Sequence, residues 1–130
     1  MPFILSLDYD GTLFEGMYPQ KGLPIFPVIQ KTIHFINAGA ETILWTCREG
    51  DALEEAIERC KLYGLFFTAH NEITPSQHEW NRMNGRFGDQ MFAQRKVYAD
   101  LYVDDKSPGS IDYFLKADVA ELMKKFSKHP

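Results

Sequence analysis

The stretch FILSLDYDGTLF, residues 3–14, joins a short apolar run to two aspartates that are one residue apart. Residues 3–7 are almost continuously apolar, which predicts a β-strand that is covered on both faces. Aspartate is a poor strand residue, and a second carboxylate nearby adds repulsion between like charges. A single Asp-Gly pair would be enough for a turn. Asp8 and Asp10 therefore indicate a shared chemical task at the end of this strand.

Beyond this strand, segments with strand and helix patterns alternate along the chain. The apolar patterns predict further strands at 42–45, 65–68 and 101–103 and helices at 28–38, 51–63 and 111–126. Segments 11–27 and 71–90 are polar or rich in Gly and Pro, and they are predicted to be loops. This order is typical of an α/β fold in which helices cover both faces of a parallel sheet. We expect a single domain over residues 1–130.

Composition excludes several classes of protein. The chain has 130 residues, of which 45% are hydrophobic and 25% charged, as in an ordinary globular domain. Its net charge of −4 offers no general attraction to nucleic acid or to an anionic membrane. No apolar run approaches the roughly 20 residues of a membrane span. Two cysteines do not make a disulfide framework, and residues 1–2 do not resemble a signal peptide, so we expect a cytoplasmic protein without membrane contact.

Polar, reactive residues follow three of the predicted strands. Asp8 and Asp10 follow the first strand, Thr46 the second, and Asp104 and Asp105 the fourth. The carboxyl ends of parallel strands meet at one edge of the sheet, where α/β proteins bind their ligands. Carboxylates that converge without a counter-charge repel strongly, and a hard divalent cation such as Mg²⁺ is their natural partner. The sequence therefore predicts a magnesium site at this edge.

The spacing of the first two aspartates suggests a division of labour. Residues two apart in a strand point to the same side, so Asp8 and Asp10 could face one substrate. One carboxylate can act as a nucleophile while the other transfers protons. Thr46 offers a hydroxyl for an oxyanion, and Lys96, just before the fourth strand, offers a positive charge. Together with a metal, these groups are the parts needed for phosphoryl transfer.

Three segments carry a family resemblance: DYDGTL (8–13), LWTCRE (44–49) and RKVYADLYVDDK (95–106). In this order they resemble the motifs of the haloacid dehalogenase superfamily. The resemblance implies a Rossmann-like α/β/α core and Mg²⁺-dependent phosphohydrolase chemistry through an aspartyl-phosphate. It also implies that Asp8 is the nucleophile and Asp10 the general acid and then base. The second aspartate favours a phosphatase over a dehalogenase.

The resemblance extends to the groups that bind the phosphoryl group and the metal. Thr46 would bind the phosphoryl group, and Lys96 would neutralise the charge around it. Asp104 would complete the Mg²⁺ site together with the Asp8 carboxylate and the Asp10 carbonyl, with Asp105 behind or beside it.

The lengths of the loops imply a member of the superfamily without a cap domain. Segments 13–28 and 68–95 are too short to form one. Such proteins act on large or exposed phosphates, or a neighbouring subunit closes their site. We therefore expect as substrate a phosphorylated small molecule, such as a nucleotide or a sugar phosphate, or a phosphorylated nucleic-acid end. A homo-oligomer that closes the site is a further expectation.

Three residues near the second and third predicted strands keep open interpretations. Arg48 could contact the substrate, or it could pair with Glu49 or with a carboxylate at the sheet edge. Asn71 could contact the substrate, or it could simply belong to a polar loop. Cys47 is interpreted as a small buried neighbour, because the glycine-rich loop of a cysteine phosphatase is missing.

Two rival functions share parts of this pattern. A receiver-like signalling domain also combines an acidic pair with a phospho-accepting Asp, a Thr and a Lys, but it takes phosphate on a different strand. A catalytically idle binding protein with this fold would be expected to have lost one of the five residues Asp8, Asp10, Thr46, Lys96 and Asp104. The aspartate that becomes phosphorylated separates the first rival from the phosphatase.

Overall fold

The structure is a computed structural model, and it describes residues 1–16, 21–84 and 97–126. Within these ranges the chain forms four strands and five helices in an alternating order typical of α/β proteins. The elements are β1 (Ile4–Leu7), α1 (Phe26–Asn37), β2 (Glu41–Leu44), α2 (Gly50–Leu62), β3 (Ala69–His70), α3 (Pro75–Met83), β4 (Leu101–Val103), α4 (Ser110–Lys116) and α5 (Val119–Phe126).

The four strands form one parallel sheet in the order β3-β2-β1-β4. In its register, Leu7 at the end of β1 lies between Leu44 of β2 and Val103 of β4. The chain adds β2 and β3 on one side of β1 and then crosses back to add β4 on the other side. The strand order therefore reverses between β1 and β4, which is where ligands bind in open α/β sheets.

Apolar residues cover both faces of this sheet. On one face Leu5 and Leu7 belong to the main core, which includes Phe35 of α1 and Phe114 of α4. On the other face Ile4 belongs to a smaller cluster with four further residues, Ile43, Ala69, Val97 and Ala99. This confirms the predicted three-layer, Rossmann-like α/β fold with a parallel sheet. The described ranges contain no separate cap domain.

The predicted position of the third strand is wrong. The apolar residues 65–68 precede the strand, which is Ala69–His70. Leu65 is buried in the main core and its backbone N–H donates to Cys60 O, so it closes the end of α2. Phe66 is exposed. The apolar run therefore reflects a helix-terminating contact and not a strand that is covered on both faces.

Helix α3 lies where the sequence predicts a loop. Thr74 caps the helix by accepting a hydrogen bond from the Gln77 N–H at 3.2 Å, and Pro75 occupies its first turn. The buried side of the helix is polar, because Gln77 Nε2 donates to Asn81 Oδ1 at 2.8 Å. Hydrophobic periodicity could not reveal a helix whose inner face carries an amide pair.

The predicted single helix over 111–126 is two helices. Ala117 has an extended backbone (ψ 140°), which ends α4. Asp118 Oδ1 accepts a hydrogen bond from the Glu121 N–H at 2.9 Å and so caps the first turn of α5. Lys31 of α1 donates to the Ala117 carbonyl. A side-chain cap and a contact from another helix thus satisfy backbone groups that a continuous helix would pair internally.

The amide pair on α3 leads to a stability prediction. We expect Asn81→Ala to lower the free energy of unfolding by about 1–3 kcal/mol, because it removes the buried acceptor of Gln77. Asn84→Ala, at the exposed end of the same helix, should change it by less than about 0.5 kcal/mol. Urea unfolding monitored by circular dichroism measures both variants. If Asn81→Ala changed the free energy of unfolding as little as Asn84→Ala is expected to, the amide pair would contribute nothing to stability.

Candidate metal and phosphate site

Three of the predicted acidic residues meet at the point where the strand order reverses. The Asp8 N–H donates to the Val103 carbonyl at 3.0 Å, which joins the ends of β1 and β4. Beyond this bond, carboxylate oxygens of Asp8, Asp104 and Asp105 lie within 4.8 Å of one another. Parallel pairing therefore brings together residues that are almost 100 positions apart in the chain. These three residues are called the carboxylate cluster below.

The carboxylate cluster disfavours the charged form of Asp8. Burial, the charge of Asp104, a hydrogen bond with Asp105 and the charge of Asp105 raise the pKa of Asp8 to about 7, against a smaller opposing effect of the Tyr9 N–H. Lys106 Nζ lies 3.8 Å from Asp105 Oδ2 but is exposed, so its screened charge offsets little of the repulsion. A cation bound by oxygen ligands of the three carboxylates would relieve this repulsion.

Short polar contacts hold the loop that carries Asp104 and Asp105. The Asp104 N–H donates to Ser110 Oγ at 3.2 Å, and the Asp105 N–H donates to Thr12 Oγ1 at 3.1 Å. Asp104 Oδ1 accepts from the Lys106 N–H at 2.8 Å. Sequence analysis missed Thr12 and Ser110 as supports of the cluster. Only the position of Thr12 directly after the Asp-x-Asp-Gly segment could have indicated its role.

Gly11 allows the first loop to pass close to Asp105. Its φ is +81°, a conformation that side chains disfavour. A Cβ at this position would lie 2.3 Å from Asp105 Oδ2, far inside van der Waals contact. Any other residue would therefore displace a member of the carboxylate cluster.

Asp10 is not a member of the carboxylate cluster and pairs with Arg48 instead. Arg48 Nε donates to Asp10 Oδ2 at 2.9 Å and Nη2 donates to Oδ1 at 2.8 Å, which is a bidentate ion pair. Of the two interpretations left open for Arg48, the structure shows pairing with a carboxylate at the sheet edge. A substrate contact by Arg48 and a metal contact by the Asp10 carbonyl stay predictions.

Arg48 also lies on an aromatic stack built by the opening stretch of the chain. Its guanidinium carbon is 4.8 Å from the centroid of the Tyr9 ring. Tyr9 packs on Phe14 with ring centroids 4.9 Å apart, and Arg59 covers the Phe14 ring at 4.1 Å. Tyr9 and Phe14 are both buried. Tyr9, which lies between Asp8 and Asp10 in the sequence, therefore supports Arg48, the ion-pair partner of Asp10.

Asn71 organises the loop that follows β2. Its Oδ1 accepts a hydrogen bond from the Thr46 N–H at 2.7 Å, and its Nδ2 donates to the Arg48 carbonyl at 3.3 Å. Thr46 Oγ1 accepts from the Arg48 N–H at 3.2 Å. Asn71 adopts the left-handed region (φ 56°) to reach both groups. The predicted substrate contacts of Thr46 and Asn71 are untested, but both residues shape this loop.

Two further predictions have separate outcomes. The interpretation of Cys47 as a buried residue is wrong: its side chain is exposed, whereas the next residue, Arg48, is buried against Tyr9 and Asp10. Lys96 lies outside the described residues, and its predicted role stays a prediction.

The raised pKa of Asp8 predicts how stability depends on pH. Because its pKa is about 7 in the folded state and 3.8 for an ordinary Asp, the metal-free protein should lose stability as the pH rises through this window. We expect Asp8→Asn to raise the free energy of unfolding at pH 8 by about 2 kcal/mol, allowing for solvent screening, and to have little effect at pH 4.

The comparison requires denaturant melts in a metal chelator at both pH values. Asp112→Asn on α4, an exposed acidic position outside the cluster, is the control and should show no such pH dependence. A stability gain that is the same at pH 4 and pH 8 would contradict the assigned cause.

Comparison with known proteins gives a fold relative. No protein-family model and no curated protein matches the chain. Among the described residues, no helix has the length and apolar character needed to span a membrane. The solved structure of a conserved protein from Bacteroides thetaiotaomicron matches with a TM-score of 0.68 and 32% sequence identity, covering 99% of this chain and 94% of that one. The chain therefore belongs to the same family as this conserved Bacteroides thetaiotaomicron protein.

Proposed function

We propose that the protein is a Mg²⁺-dependent phosphohydrolase of the haloacid dehalogenase type, without a cap domain, that acts on phosphomonoesters through an aspartyl-phosphate on Asp8. The observation that carries this proposal is the carboxylate cluster. Its oxygens lie within 4.8 Å of one another at the strand-order reversal, where a ligand crevice is expected. The Asp-x-Asp-Gly-Thr segment supplies one member of the cluster and the second aspartate beside it.

The residues of the cluster fit Mg²⁺ by their chemistry. They are hard oxygen donors, and burial together with their mutual repulsion raises the pKa of Asp8. A bound divalent cation would relieve that repulsion. Asp8, Asp104 and Asp105 would hold the ion, with the Asp10 carbonyl as the further ligand implied by the family resemblance. When bound, Mg²⁺ would neutralise negative charge on the phosphoryl group and so allow an anionic nucleophile to approach it.

The two aspartates of the opening stretch have separate tasks in this mechanism. An oxygen of Asp8 attacks phosphorus, and the bond to the leaving oxygen breaks while Asp10 donates a proton to that oxygen. Water then attacks the aspartyl-phosphate, and Asp10 takes a proton from it as the bond between Asp8 and phosphorus breaks. Phosphate leaves, and both carboxyl groups return to their starting state.

The groups that would hold the phosphoryl oxygens follow β2 and precede β4. In this proposal the Thr46 hydroxyl and Lys96 bind these oxygens. Support for Thr46 comes from its contact with Arg48, the ion-pair partner of Asp10. Thr46 Oγ1 accepts a hydrogen bond from the Arg48 N–H. Support for Lys96 comes from the family resemblance.

The placement of aspartates favours this mechanism over that of a receiver-like domain. Residues 45–49 after β2 and residues 71–74 after β3 contain no aspartate. The aspartates at the carboxyl edge of the described sheet follow β1 and β4 instead. A phosphoacceptor on the second or third strand would have no aspartate to use.

The open architecture suggests the class of substrate. The described residues contain no separate cap domain above the carboxylate cluster, so a bulky phosphomonoester could enter. We propose a nucleotide, a sugar phosphate or a phosphorylated nucleic-acid end, with a second copy of the chain as an alternative means of closing the site. We also propose a cytoplasmic location, which the free thiols of Cys47 and Cys60 support.

The nucleophile is tested by Asp8→Asn. This change keeps the shape of the side chain but removes its nucleophilic oxygen anion, so we expect the release of phosphate from p-nitrophenyl phosphate to fall by roughly 10³-fold or more. Acid-quenched protein exposed to a ³²P-labelled substrate should carry label in the wild type and none in the variant. Unchanged turnover, or label on another aspartate, would refute the mechanism.

The metal site is tested by Asp104→Ala. Loss of one ligand should raise the Mg²⁺ concentration needed for half-maximal activity by roughly tenfold or more, with partial recovery of the rate at high Mg²⁺. Asp112→Ala, at an exposed position on α4, is the matched control and should leave the titration unchanged. An unaltered Mg²⁺ requirement in the Asp104 variant would remove this residue from the metal site.

A further inference from the structure

We propose that Arg48 is a positioning residue that orients the Asp10 carboxyl group for proton transfer, with Tyr9 as the platform on which Arg48 rests. This inference rests on the proposed function, since it concerns the acid–base partner of the same reaction. It builds on one of the two sequence-based alternatives for Arg48, pairing with a carboxylate at the sheet edge, and not on the other, a substrate contact.

The geometry of the pair fixes the plane of the Asp10 carboxyl group. Two hydrogen bonds of 2.9 and 2.8 Å join Arg48 to both carboxyl oxygens, so neither the rotation nor the tilt of that group is free. The Arg48 side chain is 5% exposed and that of Asp10 is 21% exposed. The arginine thus lies beneath the carboxyl group and leaves the carboxyl group as the more accessible of the two.

Arg48 is itself held at both ends. The guanidinium carbon lies 4.8 Å from the centroid of the Tyr9 ring, which is buried against Phe14. At the other end, the Arg48 backbone donates to Thr46 Oγ1 and accepts from Asn71 Nδ2. A side chain restrained in this way loses little further entropy when it holds a partner, which suits a fixed support better than a group that reaches for a substrate.

The pair leaves Asp10 able to act in both chemical steps. Each carboxyl oxygen has two lone pairs, so an oxygen that accepts from Arg48 keeps a second site that can face the leaving oxygen or the attacking water. Asp10 starts the cycle with a proton at that site, taken from the water of the previous turnover. In the first step this proton moves to the leaving oxygen as the bond from that oxygen to phosphorus breaks, which leaves the Asp10 carboxylate paired with Arg48. In the second step a water proton moves to the same site as the bond between Asp8 and phosphorus breaks.

The test measures Arg48→Met in the full chain with Mg²⁺ on two substrates. p-Nitrophenyl phosphate has a leaving group that needs little protonation, whereas glycerol phosphate has an alcohol leaving group that needs a proton. We expect kcat to fall by roughly 10²-fold on glycerol phosphate and by clearly less on p-nitrophenyl phosphate, with KM within about twofold of the wild type on both. Arg48→Lys, which offers one point contact instead of two, should be intermediate.

Two comparisons isolate the role of Arg48. Arg82→Met removes another bidentate pair, the exposed one that Arg82 forms with Glu79 on α3. This variant should change neither kcat nor KM. The double variant Asp10→Asn with Arg48→Met should be as slow on glycerol phosphate as Asp10→Asn alone, because Arg48 acts only through Asp10. Thermal unfolding checks each variant, and Arg48→Lys carries the test if Arg48→Met does not fold.

Distinct results would overturn this inference or the function beneath it. A large rise in KM with little change in kcat would show that Arg48 binds the substrate. An equal fall on both substrates, additive with Asp10→Asn, would show that it only supports the fold. A wild type that hydrolyses neither substrate nor a panel of nucleotides, sugar phosphates and phosphorylated oligonucleotides would overturn the proposed function and this inference together.

Discussion

The pairing of β1 with β4 is the constraint on which the candidate site depends. The parallel ladder of β1 and β4, extended by the bond from the Asp8 N–H to the Val103 carbonyl, aligns the ends of two strands that are far apart in the chain. It brings Asp8 within reach of Asp104 and Asp105, and burial together with the charges of these two residues raises the pKa of Asp8 to about 7. The fold stabilises this arrangement by tying the Asp105 N–H to the buried hydroxyl of Thr12. The hydrogen bond between the Asp105 N–H and Thr12 thus helps to offset the repulsion among the three carboxylates.

Two aspartates that are one residue apart have different surroundings. Asp8 faces other carboxylates, whereas Asp10 faces the guanidinium of Arg48. Tyr9 between them points into the core and carries Arg48 on its ring, so the residue that separates the aspartates also supports the difference between them. Enzymes that need a nucleophile and a proton-transfer group commonly obtain them from similar side chains in unlike environments. This chain provides such environments within three consecutive residues.

Most of the sheet followed from the sequence, because each central strand is covered on both faces and is therefore apolar throughout. The errors have a common cause. The buried face of α3 carries Gln77 and Asn81, whose amides satisfy each other, and the apolar Leu65 serves to close α2. The break between α4 and α5 depends on the Asp118 cap and on Lys31 from a distant helix. In each case a tertiary or side-chain contact replaced the periodic pattern that sequence analysis uses.

The sequence by itself determined the α/β class, the strand that ends in Asp8 and Asp10, and the meeting of acidic residues at one edge, because local polarity patterns and parallel topology are enough for these. Only the tertiary structure decided that Asp10 pairs with Arg48 and is not part of the carboxylate cluster. The same holds for the hydrogen bond by which Asn71 holds the loop after β2. Both outcomes depend on which polar atoms come within hydrogen-bond distance once the loops are packed. That choice is made by three-dimensional geometry, and the spacing of residues along the chain does not encode it.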